Sequence, residues 1–381
     1  MRRAAAAASP GDGVAAIDTP ALVIDLDAME RNLAAMASFA RGHGMRLRPH
    51  AKMHKCAAIA RLQMAAGAVG VCVQKTSEAE ALADAGIADI YISNEVIDAH
   101  KLARVAALAR RIRLAIAVDS IEGVDRLAAA LRAAGASLDV FVEIDVGQGR
   151  CGAAPAAAGA LAHQVVSHAP AEGGLRFAGL QAYHGGAQHL RTAAEREAAS
   201  HHAAAQARAA QASITASGIA CPLVTGGGTG TFAFDAASGV WGELQCGSYL
   251  FMDRDYADNA PDPHAPRFEH ALFIKSQVMS RGASHAVIDA GHKSHALDSG
   301  LPAVWQRELA YSSGGDEHGI LRPKPGGSTA GLPALGETIW LVPGHCDPTV
   351  NLHDHYIGVR GGLAAGTVES IWPIDARGAV R

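Results

Sequence analysis

The sequence predicts an α/β fold, a (β/α)8 barrel of the TIM type followed by a second, β-rich C-terminal domain. Three observations carry this expectation. Eight short apolar runs recur at intervals of roughly thirty residues, with alanine-rich helical stretches between most of them. Polar residues follow those runs in phase: Lys52, Gln74, Asn94, Asp119, Asp145, Tyr183, Gly226 and Gln245. After about residue 261 the pattern changes to strand-like segments punctuated by Gly, Pro and Asp. Strands alternating with helices build a parallel sheet, eight such units close into a barrel, and a barrel gathers its strand-end residues on one face. An open doubly wound sheet is the rival, weakened because no G-x-G-x-x-G follows the first strand.

In chain order, residues 1–17 open with Met1, Arg2 and Arg3 and an alanine run that stops at Ser9, Pro10 and Gly11. They read as a disordered tail rather than a signal peptide. Residues 18–26 form a strand by β-branched content, and this strand is expected to join the β domain. Asp27, with Glu30 three residues on, reads as the N-cap of a helix through residue 40, stopped by Gly42 and Gly44. Barrel strands follow at 45–49, 68–73, 89–93, 113–118, 138–144, 177–182, 222–225 and 242–245, within a barrel domain of residues 27–261. Residues 262–381 form the β-rich domain, with strands at 271–279, 286–289, 338–342 and 356–360.

Composition narrows the function classes. Hydrophobic residues make up 49% and charged residues 18% of the 381, as in a globular chain with a full core. A net charge of -4 without a basic stripe argues against nucleic acid. No apolar run approaches the roughly 18 residues that span a bilayer. Six scattered cysteines without a C-x-x-C pair fit a reducing cytoplasm better than a disulfide framework.

Chemistry concentrates at a few strand ends. Arg48-Pro49-His50-Ala51-Lys52-Met53-His54-Lys55 places two lysines at the end of a core strand, where desolvation favours the neutral amine that attacks a carbonyl. Taken alone, such a cluster also reads as a solvated basic turn. Thr225-Gly226-Gly227-Gly228-Thr229 and Gln245-Cys246-Gly247-Ser248-Tyr249 follow the seventh and eighth strands, the usual phosphate site of such barrels. A phosphate site opposite a strand-end lysine points to pyridoxal phosphate, whose aldehyde needs an amine. Arg150, in a glycine-rich run, is a candidate partner of the cofactor's phenolate oxygen or ring, and Tyr183 could pack on that ring. His184 and His189 are candidate bases near neutral pH. In an extended segment residues two apart share a face, so His345 and Asp347 could hold one cation and leave positions for water and substrate.

Long motifs bear a resemblance from about residue 18 to the C-terminus: RPHAKMHK, QKTSEA, ISNEV, VEIDVGQGRCG, GLQAYHG, TGGGTG, ELQCGSYLFMD and VPGHCDPT. Together they resemble the D-threonine aldolase family, within the alanine-racemase-like (fold type III) pyridoxal phosphate enzymes. The resemblance implies a Schiff-base lysine at Lys52, with Lys55 as its alternative, and Arg150 against the cofactor ring. It implies phosphate-holding positions at Gly227, Gly228, Thr229, Gly247, Ser248 and Tyr249, with Gln74, Tyr183 and Thr225 as further cofactor contacts. A divalent metal falls on His345 and Asp347, and a catalytic histidine on His189. Manganese suits the oxygen ligand Asp347 best, with magnesium or cobalt as alternatives.

The activity implied is retro-aldol cleavage of D-3-hydroxy-α-amino acids of the D-threonine type to glycine and an aldehyde, by a homodimer. The alternatives are a 3-hydroxy-D-aspartate aldolase, a D-serine or D-hydroxyaspartate dehydratase binding zinc through H-x-C, and a non-catalytic protein that buffers pyridoxal phosphate. His292, Lys293, Glu317 and His318 are candidates to shape the substrate pocket.

Overall fold

A computed structural model describes residues 6–169 and 174–381. The chain begins with β1 (Ala21–Asp25) and α1 (Leu26–Gly42), then alternates through β2 (Arg46–Leu47), α2 (Ala57–Ala65), β3 (Val71–Val73) and α3 (Thr76–Asp84). It continues through β4 (Asp89–Ile92), α4 (Ala99–Ala109), β5 (Arg113–Val118), α5 (Ile121–Ala134), β6 (Ser137–Glu143) and α6 (Ala158–Ser167). Next come β7 (Gly174–Ala182), α7 (Ala193–Ala216), β8 (Val224–Gly226), α8 (Phe232–Ala237), β9 (Glu243–Leu244) and the short α9 (Arg254–Ala257). The last third holds β10 (Leu272–Arg281), β11 (Ala286–Ile288), β12 (Ala303–Val304), β13 (Leu309–Ser313), β14 (Gly319–Pro323) and β15 (Thr338–Val342). A single helical turn, α10 (Cys346–Val350), precedes β16 (His355–Arg360) and β17 (Thr367–Pro373).

Eight parallel strands form the TIM-type layer in the order β2-β9-β8-β7-β6-β5-β4-β3. The chain just past β2 closes the ring: Ala51 N donates to Cys72 O, Cys72 N to Pro49 O, and His50 bridges to Cys72. The period-two alternation that made these runs strands also sorts their side chains. Val71, Val73, Ile90, Ile92, Leu114, Ile116, Val140 and Val142 pack outward against helical Leu82, Val105, Leu127 and Leu131. Cys72, Tyr91, Ala115, Ala117 and Phe141 cluster separately on the inner side. Two ion pairs of the buried Arg48 complete the interior, with the half-buried Asp89 at 2.5 Å and the buried Glu243 at 3.3 Å.

The second sheet runs β13-β14-β11-β10-β1-β16-β17, with β15 paired to β10 and β12. β1 lies at its centre, antiparallel to β10 and parallel to β16, so the first strand of the chain is built into the last sheet.

Two local expectations are corrected. The tail expected to be disordered is packed from residue 6 onward: Val14 and Ile17 are buried against β1 and β16 residues, and Gly11 N donates to Val368 O. Two apolar side chains in a short stretch suffice to dock it; residues 1–5 lie outside the described residues. The N-cap of α1 is Asp25, whose carboxylate accepts from Ala28 N at 3.1 Å, rather than Asp27. Asp27 and Glu30 instead bind Arg360 of β16, so the apparent capping pair ties the helix to the second sheet. Among the described residues, no helix is long and apolar enough to cross a membrane.

Candidate active site

The open end of the barrel and the turn before α10 enclose a cleft of about 150 Å3, lined by residues from five barrel strand ends and by His345 and Asp347 of the second domain. Lys52 lies in it, about one-third exposed, and its only ion-pair contact among the described residues is Asp347 Oδ2 at 4.0 Å. Its backbone N–H donates to Nδ1 of His50 at 3.4 Å. His50 is buried, and burial followed by the charge of Lys52 holds its ring well below the usual histidine range. Lys55 has no free amine. Its Nζ is spent on Glu78 at 2.7 Å and on the carbonyls of Ala376 and Ala379.

Across from Lys52, the loops after β8 and β9 present backbone. Among the described residues, the N–H groups of Gly228, Thr229, Gly247 and Ser248 find no intrachain acceptor. All four residues line the cleft, an arrangement suited to an anion. Their side chains are small by necessity. A Cβ on Gly228 would stand 2.4 Å from Gln188 Oε1, and one on Gly247 would stand 3.0 Å from His50 O. Gln188 is itself fixed, donating to Thr231 Oγ1 at 2.9 Å and accepting from Gly230 N at 2.8 Å.

The remaining wall is made of histidines and carboxylates. His345 Nδ1 is 2.7 Å from Asp298, and its Nε2 is 3.8 Å from Asp347 Oδ1. Burial lowers the His345 pKa, but Asp347, Asp298 and Asp253 outweigh it and the net shift is upward. Asp347 Oδ1 is buried without any hydrogen-bond partner. His189 Nδ1 is 2.9 Å from Asp255, and burial outweighs that carboxylate, so its ring sits below the usual histidine range. Among the described residues no set of three or more His, Cys, Asp or Glu is grouped for a metal, so His345 and Asp347 stand as a pair.

The pair is not built as the sequence suggests. His345 is extended, but Cys346 opens the turn of α10, and the helical bend turns Asp347 back toward His345. The same bend sends the Cys346 thiol into the core beside Met252 O, where burial raises its pKa well above the usual thiol range.

Of the sequence candidates, Lys52, Gln74, Tyr183, His189, Gly228, Thr229, Gly247, Ser248, His345 and Asp347 line one cleft. Arg150 stands over the Tyr183 ring at 5.8 Å, at the edge of the cleft. Thr225 and Tyr249 point elsewhere: the Thr225 hydroxyl donates to Glu243, and the Tyr249 ring is buried in the core near Gln63. Gly227, at φ +71, turns toward Asp235 and Leu244 rather than the cleft. His184 caps the turn ahead of His189, and His292, Lys293, Glu317 and His318 lie outside the lining.

Comparison with known proteins follows this geometry. Residues 24–255 match the family model "Alanine racemase, N-terminal domain", and residues 271–359 match a serine dehydratase domain model. A D-threonine aldolase of Arthrobacter sp is 49% identical over 374 residues, 97% of this chain and 96% of the relative. The crystal structure of a D-threonine aldolase from Filomicrobium marinum superposes with a TM-score of 0.94 at 50% identity, covering 100% of both chains. The chain belongs to the D-threonine aldolase family. A 3-hydroxy-D-aspartate aldolase of Paracoccus denitrificans (strain Pd 1222), 43% identical over 97% of this chain and 95% of its own, is a further relative.

Beyond the residues that mark the family, sequence reasoning missed four that shape this cleft. Asp255 and Asp298 orient the two histidines, Tyr256 lines the cleft with its ring 4.9 Å from His189, and Gln188 braces the glycines. Their signals were weak: an aspartate in the Asp253-Arg254-Asp255-Tyr256 run, and a glutamine next to a histidine already singled out.

Proposed function

We propose that the protein is a pyridoxal phosphate- and divalent-metal-dependent aldehyde-lyase that cleaves D-3-hydroxy-α-amino acids of the D-threonine type to glycine and an aldehyde. The observation that carries this is convergence: the Lys52 amine, four unspent N–H groups and the unpartnered Asp347 Oδ1 beside His345 share one cleft. The residues fit both groups. Lys52 would hold the cofactor's aldehyde, and the N–H groups of Gly228, Thr229, Gly247 and Ser248, which find no acceptor among the described residues, its phosphate. His345 and Asp347 would hold the metal, for which a buried carboxylate oxygen without a partner is a ready ligand. Manganese matches that nitrogen and oxygen pair, with magnesium and cobalt as the other candidates.

When bound, the cofactor supplies a sink for the electron pair left on Cα, and the metal a Lewis acid for the 3-hydroxyl. The chain's own residues do the rest. Asp255 engages Nδ1 of His189 and leaves Nε2 free, and burial keeps the ring neutral, so His189 can take the 3-hydroxyl proton as Cα–Cβ breaks. Asp298 fixes His345 through Nδ1 and leaves its Nε2 toward Asp347. Burial keeps the Tyr183 phenol protonated beneath Arg150.

Among the described residues, Lys52 is the one lysine or arginine lining the cleft, and it is committed to the cofactor. With Arg150 over the Tyr183 ring at the edge of the cleft, no further lysine or arginine among the described residues lines the cleft to meet a 3-carboxylate, which favours a neutral side chain over 3-hydroxyaspartate. The position two after His345 is Asp347, which makes the pair H-x-D rather than H-x-C, and the intervening Cys346 thiol is buried in the core and cannot replace it; this favours aldol cleavage over dehydration. A homodimer of the cytoplasm accompanies this function; the family resemblance and six free cysteines support it, and a solution mass of about twice 39.1 kDa tests the dimer. The deciding experiment is a product assay on D-threonine with EDTA and then manganese. Glycine and acetaldehyde that vanish with chelation and return with manganese are expected. Ammonia and 2-oxobutanoate would make the protein a dehydratase.

A further inference from the structure

Lys55 lies three residues beyond Lys52 yet is buried, 7% exposed, in the left-handed region at φ +52. Its ammonium meets Glu78 Oε1 at 2.7 Å and the carbonyls of Ala376 and Ala379 at 3.4 Å. Glu78 is equally buried, and its second oxygen accepts from the backbone N–H groups of Gln74 and Lys75 at 2.9 and 3.0 Å. The Gln74 side chain in turn meets His50 Nε2 at 3.1 Å, and His50 Nδ1 accepts from Lys52 N. A continuous polar path therefore runs from Lys55 through Glu78, Gln74 and His50 to the backbone of Lys52.

Tyr356 of β16 and the segment after β17 clamp the same loop from outside. Ala376 N donates to Lys55 O at 3.0 Å, Asp375 Oδ2 accepts from Ala57 N at 2.7 Å, and Tyr356 donates to His54 O at 2.7 Å. The loop carrying Lys52 is thus held on one side by the Lys55–Glu78 pair and on the other by Tyr356, Asp375 and Ala376, none of which lines the cleft.

We propose that Lys55 and Glu78 are positioning residues for Lys52: their ion pair, gripped by the carbonyls of 376 and 379, sets the pose in which the Lys52 amine meets the cofactor's aldehyde. This rests on the reading that Lys52 carries pyridoxal phosphate. A buried pair that only stabilised the fold would leave cofactor capture unchanged in any variant that stays folded. A positioning pair lowers capture, because an amine displaced from its productive geometry pays an ordering cost on each binding event.

The test compares Lys55→Met, Glu78→Gln and the double variant with the unmodified protein, each freed of cofactor and titrated with pyridoxal phosphate. Glu78→Gln keeps an oxygen for the Gln74 and Lys75 N–H groups, so it is the variant to read should Lys55→Met fail to fold. Expected are circular dichroism spectra unchanged below melting, a cofactor dissociation constant raised about tenfold or more, and a shifted pH titration of the lysine–cofactor absorption band. The double variant should bind no more weakly than the worse single one, since both remove the same link. Folded variants with unchanged affinity and band would overturn the proposal. Lys52→Ala separates the two readings: a band that survives there refutes Lys52 as the cofactor's lysine whatever the Lys55 variants do.

Discussion

The two walls of the cleft present opposite kinds of group. The barrel wall, after β8 and β9, offers backbone: N–H groups of Gly228, Thr229, Gly247 and Ser248, exposed because the side chains are small. The wall from the second sheet offers side chains, His345 and Asp347, each held by a neighbour or left with an oxygen to spare. A backbone wall fails when an atom is added, and a side-chain wall fails when atoms are removed. The difference separates cofactor capture from metal chemistry and tells which substitution breaks which.

The largest effect is expected from Asp347→Ala. It removes the unpartnered oxygen and, among the described residues, the one carboxylate in contact with Lys52. Activity on D-threonine should fall by about 10³-fold, the order lost with one charge-stabilising group. The lysine–cofactor absorption should persist, and manganese titration should no longer restore turnover. Retained activity with retained manganese dependence would move the metal elsewhere.

Gly228→Ala should do the reverse. The new methyl meets Gln188, which is 1% exposed and bonded on both ends of its amide, so it has nowhere to swing. Overpacking of this kind costs about 1–3 kcal/mol. Here it falls on the phosphate-facing loop, so cofactor affinity should drop by about tenfold or more, while metal affinity of the folded protein is unchanged. Gly247→Ala, with its nearest contact at 3.0 Å, should be milder. Titrations of cofactor and manganese on the same samples check both halves.

The same contrast explains what was legible in the sequence. A wall of small residues writes itself as TGGGTG and CGS, and eight strands write themselves as apolar runs with a polar residue at each end, so the barrel and its glycine-rich strand-end loops could be read directly. Tyr249 misled because the short turn after Gly247 sends its ring inward to the core, which no local pattern reveals. The side-chain wall was half legible. His345 and Asp347 are two apart, but the bend of α10, rather than an extended strand, brings them together. Their support was not legible at all: Asp298 is remote in sequence from His345, as Asp255 is from His189, and such pairs exist only once the sheets are packed. Lys52 and Lys55 looked alike as letters. The φ of +52 at Lys55 and the distant Glu78 tell them apart.

The last comparison concerns one buried histidine behind each wall, and it should not distinguish them. His54 sits behind the barrel wall against Gln63 Oε1 at 3.2 Å, and His295, between β11 and β12, sits against the Tyr311 hydroxyl of β13 at 3.0 Å. Burial lowers both rings to a pKa of about 4. Above the ordinary histidine value of about 6.5 both folded and unfolded chains are neutral there, and neither ring affects stability. As pH falls below it, the unfolded chain takes up protons that the buried rings refuse, and stability drops by about 1.4 kcal/mol per pH unit for each ring. The loss ends near pH 4, where the folded rings protonate as well. Denaturant midpoints measured between pH 7 and about 4 should therefore fall, and His54→Gln or His295→Gln should each remove a similar share of that slope. A slope removed by one substitution and untouched by the other would show that the two walls differ in rigidity as well as in means, with one opening to water before the chain unfolds.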